Sequence, residues 1–419
     1  MNINFERVSK VKNKIYKFID NNIDHRIHFN NLERFLVKYY VIASTSFHNY
    51  QKGRVSVRRQ RVIRLMRLFS LMTAIRYLSS ALVDTEFVSI ILMADPHYLL
   101  GHKRLNSFML STAIIIANLS LGGVHYVLES KGQLTVISFF YKIAQNKSQT
   151  YRLNRYNYRK FCLKKNLLTK YALNSAMFLP MIAINIIYFY GLTAIAYFDS
   201  SKNFSLISII FWNFCQLIWL IDLFGIAMGG FAYYYISTLF LKYQFRQLDE
   251  QIRQLVTNRD ITGLWYAIRY HNQLSVSTHH LNITFKFLLF ILYFFAKVPL
   301  NGLLYISNAP DTHISARIIM AILLLVCFGI LLNVSLMSAL VSKWAHNCRP
   351  VISGLMTTEL PLRFRLKLMD FIERLSGHWI GFYCYDMFAI NNYVFFGYIM
   401  SWISNYFLII QLINDIKVK

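Results

Sequence analysis

The stretch Arg317–Val341 reads RIIMAILLLVCFGILLNVSLMSALV, with a single charge at its first position. About 20 mostly apolar residues at ~1.5 Å each cross the hydrocarbon core of a bilayer, so this stretch is long enough to do so as one helix. Working outward, six further runs have the same character: roughly 65–83, weakened by Arg67 and Arg76; 107–128, with the core Ala113-Ile114-Ile115-Ile116-Ala117; 173–198; 205–236; 285–306; and 393–413. The whole chain of 419 residues is 56% hydrophobic and only 15% charged, well short of the quarter that soluble domains carry. With 6 Pro and 16 Gly it is neither a disordered nor a collagen-like sequence. The expected fold class is an all-α membrane protein with seven transmembrane helices.

Charge fixes the expected orientation, because Lys and Arg favour the cytoplasmic side. The chain carries 45 Lys+Arg against 19 Asp+Glu. Residues 1–62 hold 13 basic residues, and the loop 129–170 holds 10, among them Arg152, Arg155, Arg159, Lys160, Lys164 and Lys165. The loops 237–283 and 342–379 hold 5 and 6. The segments that alternate with these hold few, so the two sides carry 34 and 5. The N-terminus is therefore expected inside and the C-terminus outside. The net charge of +26 becomes a signal of topology, and no basic helix, zinc spacing or RNP-like aromatic motif points to nucleic acid. The first 60 residues have no short apolar stretch, so no cleavable signal peptide is expected.

The expected organisation is a cytoplasmic N-terminal region (1–62), six transmembrane helices with basic cytoplasmic loops (63–341), a cytoplasmic loop with an anchor helix (342–392), and a seventh helix with a short extracellular tail (393–419). The outside loops are short. One contains Asn203-Phe204-Ser205, a glycosylation sequon on the expected side. The inside loops are long and patterned. Phe245, Leu248, Ile252 and Leu255 recur at helical spacing, as do Leu362, Leu366, Met369, Ile372 and Leu375. These read as helices continuing below the membrane, whose apolar faces need protein partners. No internal repeat is visible, which disfavours the inverted-repeat transporters.

The cysteines are Cys162, Cys215, Cys327, Cys348 and Cys384; none falls in an expected outside loop, and no disulfide framework is implied. The sequence has no Gly-rich phosphate loop, His-Glu-x-x-His, Cys-x-x-Cys or Gly-x-Ser-x-Gly, so neither an enzyme nor a resident cofactor or metal is expected. The adjacent pair His279-His280 points its rings apart on a helix and reads as a polar helix end. Lys286 lies where its stem can reach water. Asp222 and Lys297 lie deeper and are open to three readings: a tilted pair, a water-filled cavity, or local solvation.

Aromatic residues crowd the outer halves of the third to fifth spans: Tyr188, Tyr190, Tyr197, Phe211, Trp212, Tyr293, Phe294 and Tyr305. They suit a lipid interface, where Tyr and Trp concentrate. They equally suit an aromatic-walled pocket for an uncharged small molecule, with Asn185 and Gln216 offering hydrogen bonds and Lys297 nearby.

The last span resembles that of the insect gustatory receptors. In that family a short Phe-x-hydrophobic-Asp/Asn element precedes a helix marked by Thr-Tyr, five hydrophobic residues and Gln-Phe. Here Met387-Phe388-Ala389-Ile390-Asn391 is followed by Ser404-Asn405-Tyr406-Phe407-Leu408-Ile409-Ile410-Gln411-Leu412. Ser404 takes the threonine place and Gln411 matches, whereas Asn405 and Leu412 replace the tyrosine and phenylalanine. The pattern is that of a divergent, Drosophila-type member rather than a sweet-responsive one. A second similarity precedes the fifth span, where His271, Leu274, Asn282 and Phe285 fall in the family's Leu-rich, Asn-x-x-Phe pattern. Insect odorant receptors share the topology.

The resemblance implies a tastant-gated cation channel subunit in the plasma membrane of a sensory neuron, on its dendrite, assembled as a homo- or hetero-tetramer with other gustatory receptor subunits. It implies a pore lined by the seventh helix, with Ser404, Ile409, Gln411 and Leu412 at pore and gate, and an anchor formed by the preceding cytoplasmic helix. The ligand would lie in the outer half of the bundle, near Tyr188, Trp212, Gln216, Lys297 and Tyr305. The residues themselves are compatible: 393–413 carries no charge, and hydrophobic constrictions gate by dewetting. A buried packing helix with one satisfied glutamine is the plainer alternative. An odorant-type channel and a seven-helix receptor signalling through a cytoplasmic partner are the competing functions; the cysteine placement and the orientation disfavour the second.

Overall fold

The computed structural model describes residues 202–294, 314–357, 359–377, 380–385 and 387–418, together with Leu300, Asn301, Leu304 and single helical residues within 65–79 and 156–164. The apolar runs 107–128 and 173–198 lie outside the described residues. The described elements are α1 (Lys202–Thr257), α2 (Ile261–Phe294), α3 (Ile314–His346), α4 (Arg349–Leu355), α5 (Leu362–Ser376), β1 (Tyr383–Cys384), β2 (Phe388–Ala389) and α6 (Asn392–Val418). α1 has 56 residues, hence is about 84 Å long, nearly three times the thickness of a bilayer's hydrocarbon. It carries the apolar run 205–236 into the patterned segment beyond it without a break. It also begins earlier than the run suggests, so Asn203 stands in the first turn of a helix rather than in a loop. Among the described residues, Phe328–Leu355 has the length and mean hydropathy, 1.4, of a membrane crossing.

A tight reversal joins α1 to α2. The Asp260 N–H donates to Leu255 O at 3.0 Å and the Arg259 N–H to Val256 O at 3.2 Å, the paired bonds that close a helix C-terminus. This geometry puts Arg259 at φ 49, a conformation that glycine adopts without cost and that arginine resists. Asp260 then caps α2 by accepting the Gly263 N–H at 2.9 Å. A Cβ at Gly263 would lie 2.5 Å from both Asp260 Oδ2 and Leu255 Cδ2, so a side chain here would have to displace the capping carboxylate and the leucine methyl.

The core forms where α1, α2 and α3 pack together. Phe245, Leu248 and Ile252 of α1 are buried and Leu255 is half-buried, so that helical stripe faces protein. On α3, Ser335, Ser338 and Ser342 follow helical spacing and are all buried. Ser338 donates to Val334 O and Ser335 to Leu331 O, which leaves each hydroxyl oxygen to accept from a tyrosine. Tyr234 of α1 bonds Ser338, and Tyr293 of α2 bonds Ser335. The Tyr234 ring meets Phe285 at 5.0 Å and Phe382 at 5.1 Å, both edge-on, so one residue touches α2, α3 and the segment before β1. Farther along α1, Asp249 accepts from Asn347 at 2.7 Å and from Arg253 at 3.1 Å, fastening α1 to the α3–α4 junction.

The described residues are helical as expected apart from one short pairing: β1 and β2 run antiparallel with Tyr383 opposite Ala389 and Cys384 opposite Phe388. One expectation needs correction, because the apolar residues of α5 do not form one stripe. Leu375 is buried and Ile372 packs against the core, but Leu362, Leu366 and Met369 are exposed; the buried face is Phe364, Leu368, Phe371 and Leu375. The helix is apolar on two sides, and only packing distinguishes them.

Candidate gating junction and ligand pocket

The hairpin β1–β2 delivers the chain into α6, and Phe388, Ile390 and Asn391 of the short motif before that helix each have a physical task. Phe388 packs its ring on Tyr293 at 6.0 Å and Phe294 at 6.3 Å. Ile390 is buried, and its N–H donates to Phe382 O at 2.9 Å. Asn391 caps α6 by accepting the Val394 N–H at 2.9 Å. The other strand is clamped to α2: Asn282, 2% exposed, accepts the Tyr383 N–H at 2.7 Å. Lys286, one turn farther, holds its ammonium 5.1 Å from the centre of the Tyr385 ring. Asn282, Lys286, Tyr293 and Phe294 thus fix the hairpin from α2, and the hairpin fixes the start of α6.

His271, 11 residues before Asn282, is buried between Phe245 at 5.3 Å and Phe371 at 5.0 Å, and its Nε2–H donates to Ala345 O at 2.9 Å. It joins α1, α2, α3 and α5 at one point. His346 at the end of α3 donates from Nδ1 to Leu375 O at 3.1 Å and accepts at Nε2 from the Ile380 N–H at 2.9 Å. Both rings are neutral in this arrangement. Burial pushes the pKa of His271 down to about 4, and burial also lowers that of His346, assisted by the nearby Arg349. Leu274 is fully buried beside them. His279 and His280, by contrast, are exposed on α2.

α6 has two faces. Phe395, Tyr398 and Trp402 turn inward, Tyr398 against Tyr293 at 5.2 Å and Trp402 stacked on Phe328 at 5.6 Å. Tyr393, Phe396, Met400, Ile403, Ser404, Phe407, Leu408 and Gln411 are exposed. Ser404 and Gln411 are seven residues apart, so they stand two turns apart on the same side. The helix includes Ile409 and Leu412, but their side chains lie outside the described residues.

Toward the other end of α1, Trp212 is half-buried, with Phe211 at 5.2 Å edge-on and the Arg76 guanidinium 5.3 Å from its ring centre. Phe69, from the same helical segment as Arg76, meets Phe214 at 6.1 Å. Arg76 is only 1% exposed. In the sequence it only weakens the first apolar run; its signal is that an arginine within such a run has to face protein or water rather than lipid. Tyr188, Lys297 and Tyr305 lie outside the described residues, as do the side chains of Asn203, Gln216 and Asp222.

No family model matches the sequence, and no curated protein matches it either. Solved structures do. The fold is that of the insect olfactory receptor OR5 from Machilis hrabei, with a TM-score of 0.61, 13% identity, and coverage of 93% of this chain and 100% of that one. The same receptor in complex with eugenol superposes with a TM-score of 0.62 at 13% identity over the same shares of the two chains. The likeness therefore runs through the whole length of an insect chemoreceptor.

Proposed function

We propose that the protein is a ligand-gated cation channel subunit of the insect chemoreceptor superfamily, of the gustatory type, which opens on binding a small tastant at the plasma membrane of a sensory neuron. The observation that carries this reading is the end-to-end fold likeness to an insect olfactory receptor, with the gustatory-type motif at the entrance to α6. Seven spans, an inside N-terminus and an outside C-terminus complete the topology. The subunit works as a homo- or hetero-tetramer. In support, α5 exposes Leu362, Leu366 and Met369 and α6 exposes Tyr393, Phe396 and Met400, apolar faces that an isolated chain leaves uncovered. Ser404, Ile409, Gln411 and Leu412 line the pore and gate, and Trp212 with Tyr188, Gln216, Lys297 and Tyr305 forms the ligand pocket. Eugenol binding by the structural neighbour favours one second reading, an odorant-type channel opened by volatile aromatic molecules.

The test is voltage clamp of cells expressing the chain, alone and with other gustatory subunits, against panels of non-volatile tastants and of volatile aromatics. Cation current evoked by the first panel supports the gustatory reading, and current evoked only by the second supports the odorant one. Surface expression with no ligand-evoked current in any combination would overturn both. Assembly is read separately on native gels with Leu366→Asp, which is expected to leave single subunits. Normal tetramers would remove α5 from the interface.

A further inference from the structure

A group of basic side chains gathers where α1 leaves the apolar run. Residues 223–241 contain no charged side chain, and Lys242 is the first charge after them. Lys242 and Arg246 stand one turn apart on α1, and Lys160 and Lys164 one turn apart in the helical segment within 156–164. Phe161 of that segment is buried against Phe240 at 5.7 Å, which sets the two helices side by side at this level. Lys242 is half-buried, and burial lowers its pKa, as do Lys164, Arg246 and Lys160 in that order. Among the described residues the one acid paired into the group is Glu250, which accepts from Arg246 at 3.0 Å. Aromatic rings flank the group: Lys160 rests on Tyr156 at 4.0 Å, and Arg246 lies 5.4 Å from the Trp344 ring centre.

We propose that Lys160, Lys164, Lys242 and Arg246 bind the phosphorylated headgroup of an inner-leaflet phosphoinositide. Four cations facing one carboxylate repel each other, so their convergence is favourable when a polyanion lies among them. Basic pockets between membrane helices at the cytoplasmic surface have this recognition chemistry. The depth of Lys242 selects for a headgroup with several phosphate charges over phosphatidylserine, whose single net charge repays less of the desolvation. The assignment to the inner leaflet rests on the orientation proposed above. The same phosphate chemistry occurs in soluble inositol phosphates, and the experiment separates the two sources.

The full chain is placed in phosphatidylcholine nanodiscs with 5% phosphatidylinositol 4,5-bisphosphate or with 5% phosphatidylserine, and bound lipid is counted by native mass spectrometry. A dioctanoyl phosphatidylinositol 4,5-bisphosphate titration gives affinity. Wild type should retain the phosphoinositide over phosphatidylserine, and Lys160→Gln/Lys242→Gln should bind at least tenfold more weakly. Lys343→Gln, a control on α3 outside the group, should bind as wild type does. Thermal unfolding of each variant reads folding independently. If Lys160→Gln/Lys242→Gln does not fold, Lys164→Gln with Arg246→Gln is read in its place. Equal binding in cluster and control variants would overturn the proposal. Inositol trisphosphate binding as tightly as the lipid would overturn the lipid as occupant in favour of a soluble ligand. Nanodiscs expose both leaflets, so this result stands apart from orientation, which staining of an N-terminal tag on intact cells reports.

Discussion

Replacing Asn282 with leucine tests whether the clamp on the hairpin is real. Leucine keeps nearly the volume and removes the acceptor, leaving the Tyr383 N–H without its 2.7 Å bond in a half-buried position. Leaving a buried donor unsatisfied costs about 1–3 kcal/mol. At 1.36 kcal/mol per factor of ten, that is roughly a 5- to 150-fold rise in the open population of the hairpin. Amide hydrogen exchange of the full chain in detergent, followed on peptides covering 380–395, should therefore accelerate by that factor. Peptides of α1 near the Arg259 turn should not change, since that turn lies far along the chain of contacts. Ser277→Ala, half-buried on α2 with its hydroxyl bonded only within that helix to Gln273 O, serves as the control. Unchanged protection of 380–395 in a folded Asn282→Leu protein would refute the reasoning, because the clamp would then contribute nothing to holding the entrance of α6.

Acid should destabilise the bundle where α1, α2, α3 and α5 meet. His271 has its pKa pushed from 6.5 down to about 4, and burial lowers that of His346 as well. The unfolded chain takes up these protons near 6.5 and the folded chain does not. Stability is therefore flat above about pH 6.5 and is lost as pH falls toward 4, by about 3 kcal/mol for His271 alone. Thermal unfolding between pH 7.5 and 4.5 measures this, and a Tm independent of pH in that window would count against it. Arg259→Gly should raise stability by up to about 1 kcal/mol, since glycine adopts a φ of 49 freely; a fall in Tm would show that the Arg259 side chain matters more than its backbone. On α6, Leu412→Ala should raise basal current and Gln411→Leu should reduce conduction, both scored by voltage clamp at matched surface expression. Wild-type currents in both would place the constriction elsewhere.

Helix existence was legible because apolar length and periodicity are local properties. Phe245, Leu248 and Ile252 repeat at helical spacing in the sequence and are buried in the structure. The motif Phe388–Asn391 was visible only as a pattern; its reasons, a ring on Tyr293 and a cap on Val394, come from packing and from a helix start. The β1–β2 pair was not legible, since two residues a side carry no alternation to count. α5 misled because it has two apolar faces and the sequence does not say which meets the same chain. Arg76 reads in the sequence as a blemish for a related reason: a charge in an apolar run lowers its apparent quality as a span, yet the residue is buried with its guanidinium beside Trp212. Ser404 and Gln411 could be placed on one side of α6 by counting alone, and they are exposed together.

The unbroken length of α1 makes it a lever. Trp212 and Lys242 are thirty residues apart on it, about 45 Å along a continuous hydrogen-bonded rod. If such a beam pivots midway between these two residues by about 5°, they swing roughly 2 Å in opposite directions, enough to change a side-chain contact at either. Whatever leans on the beam at Trp212 is then felt at Lys242, and the reverse holds equally. Thermodynamic reciprocity makes that exchange symmetrical: an occupant that tightens one end must tighten or loosen the other by the same factor in each direction.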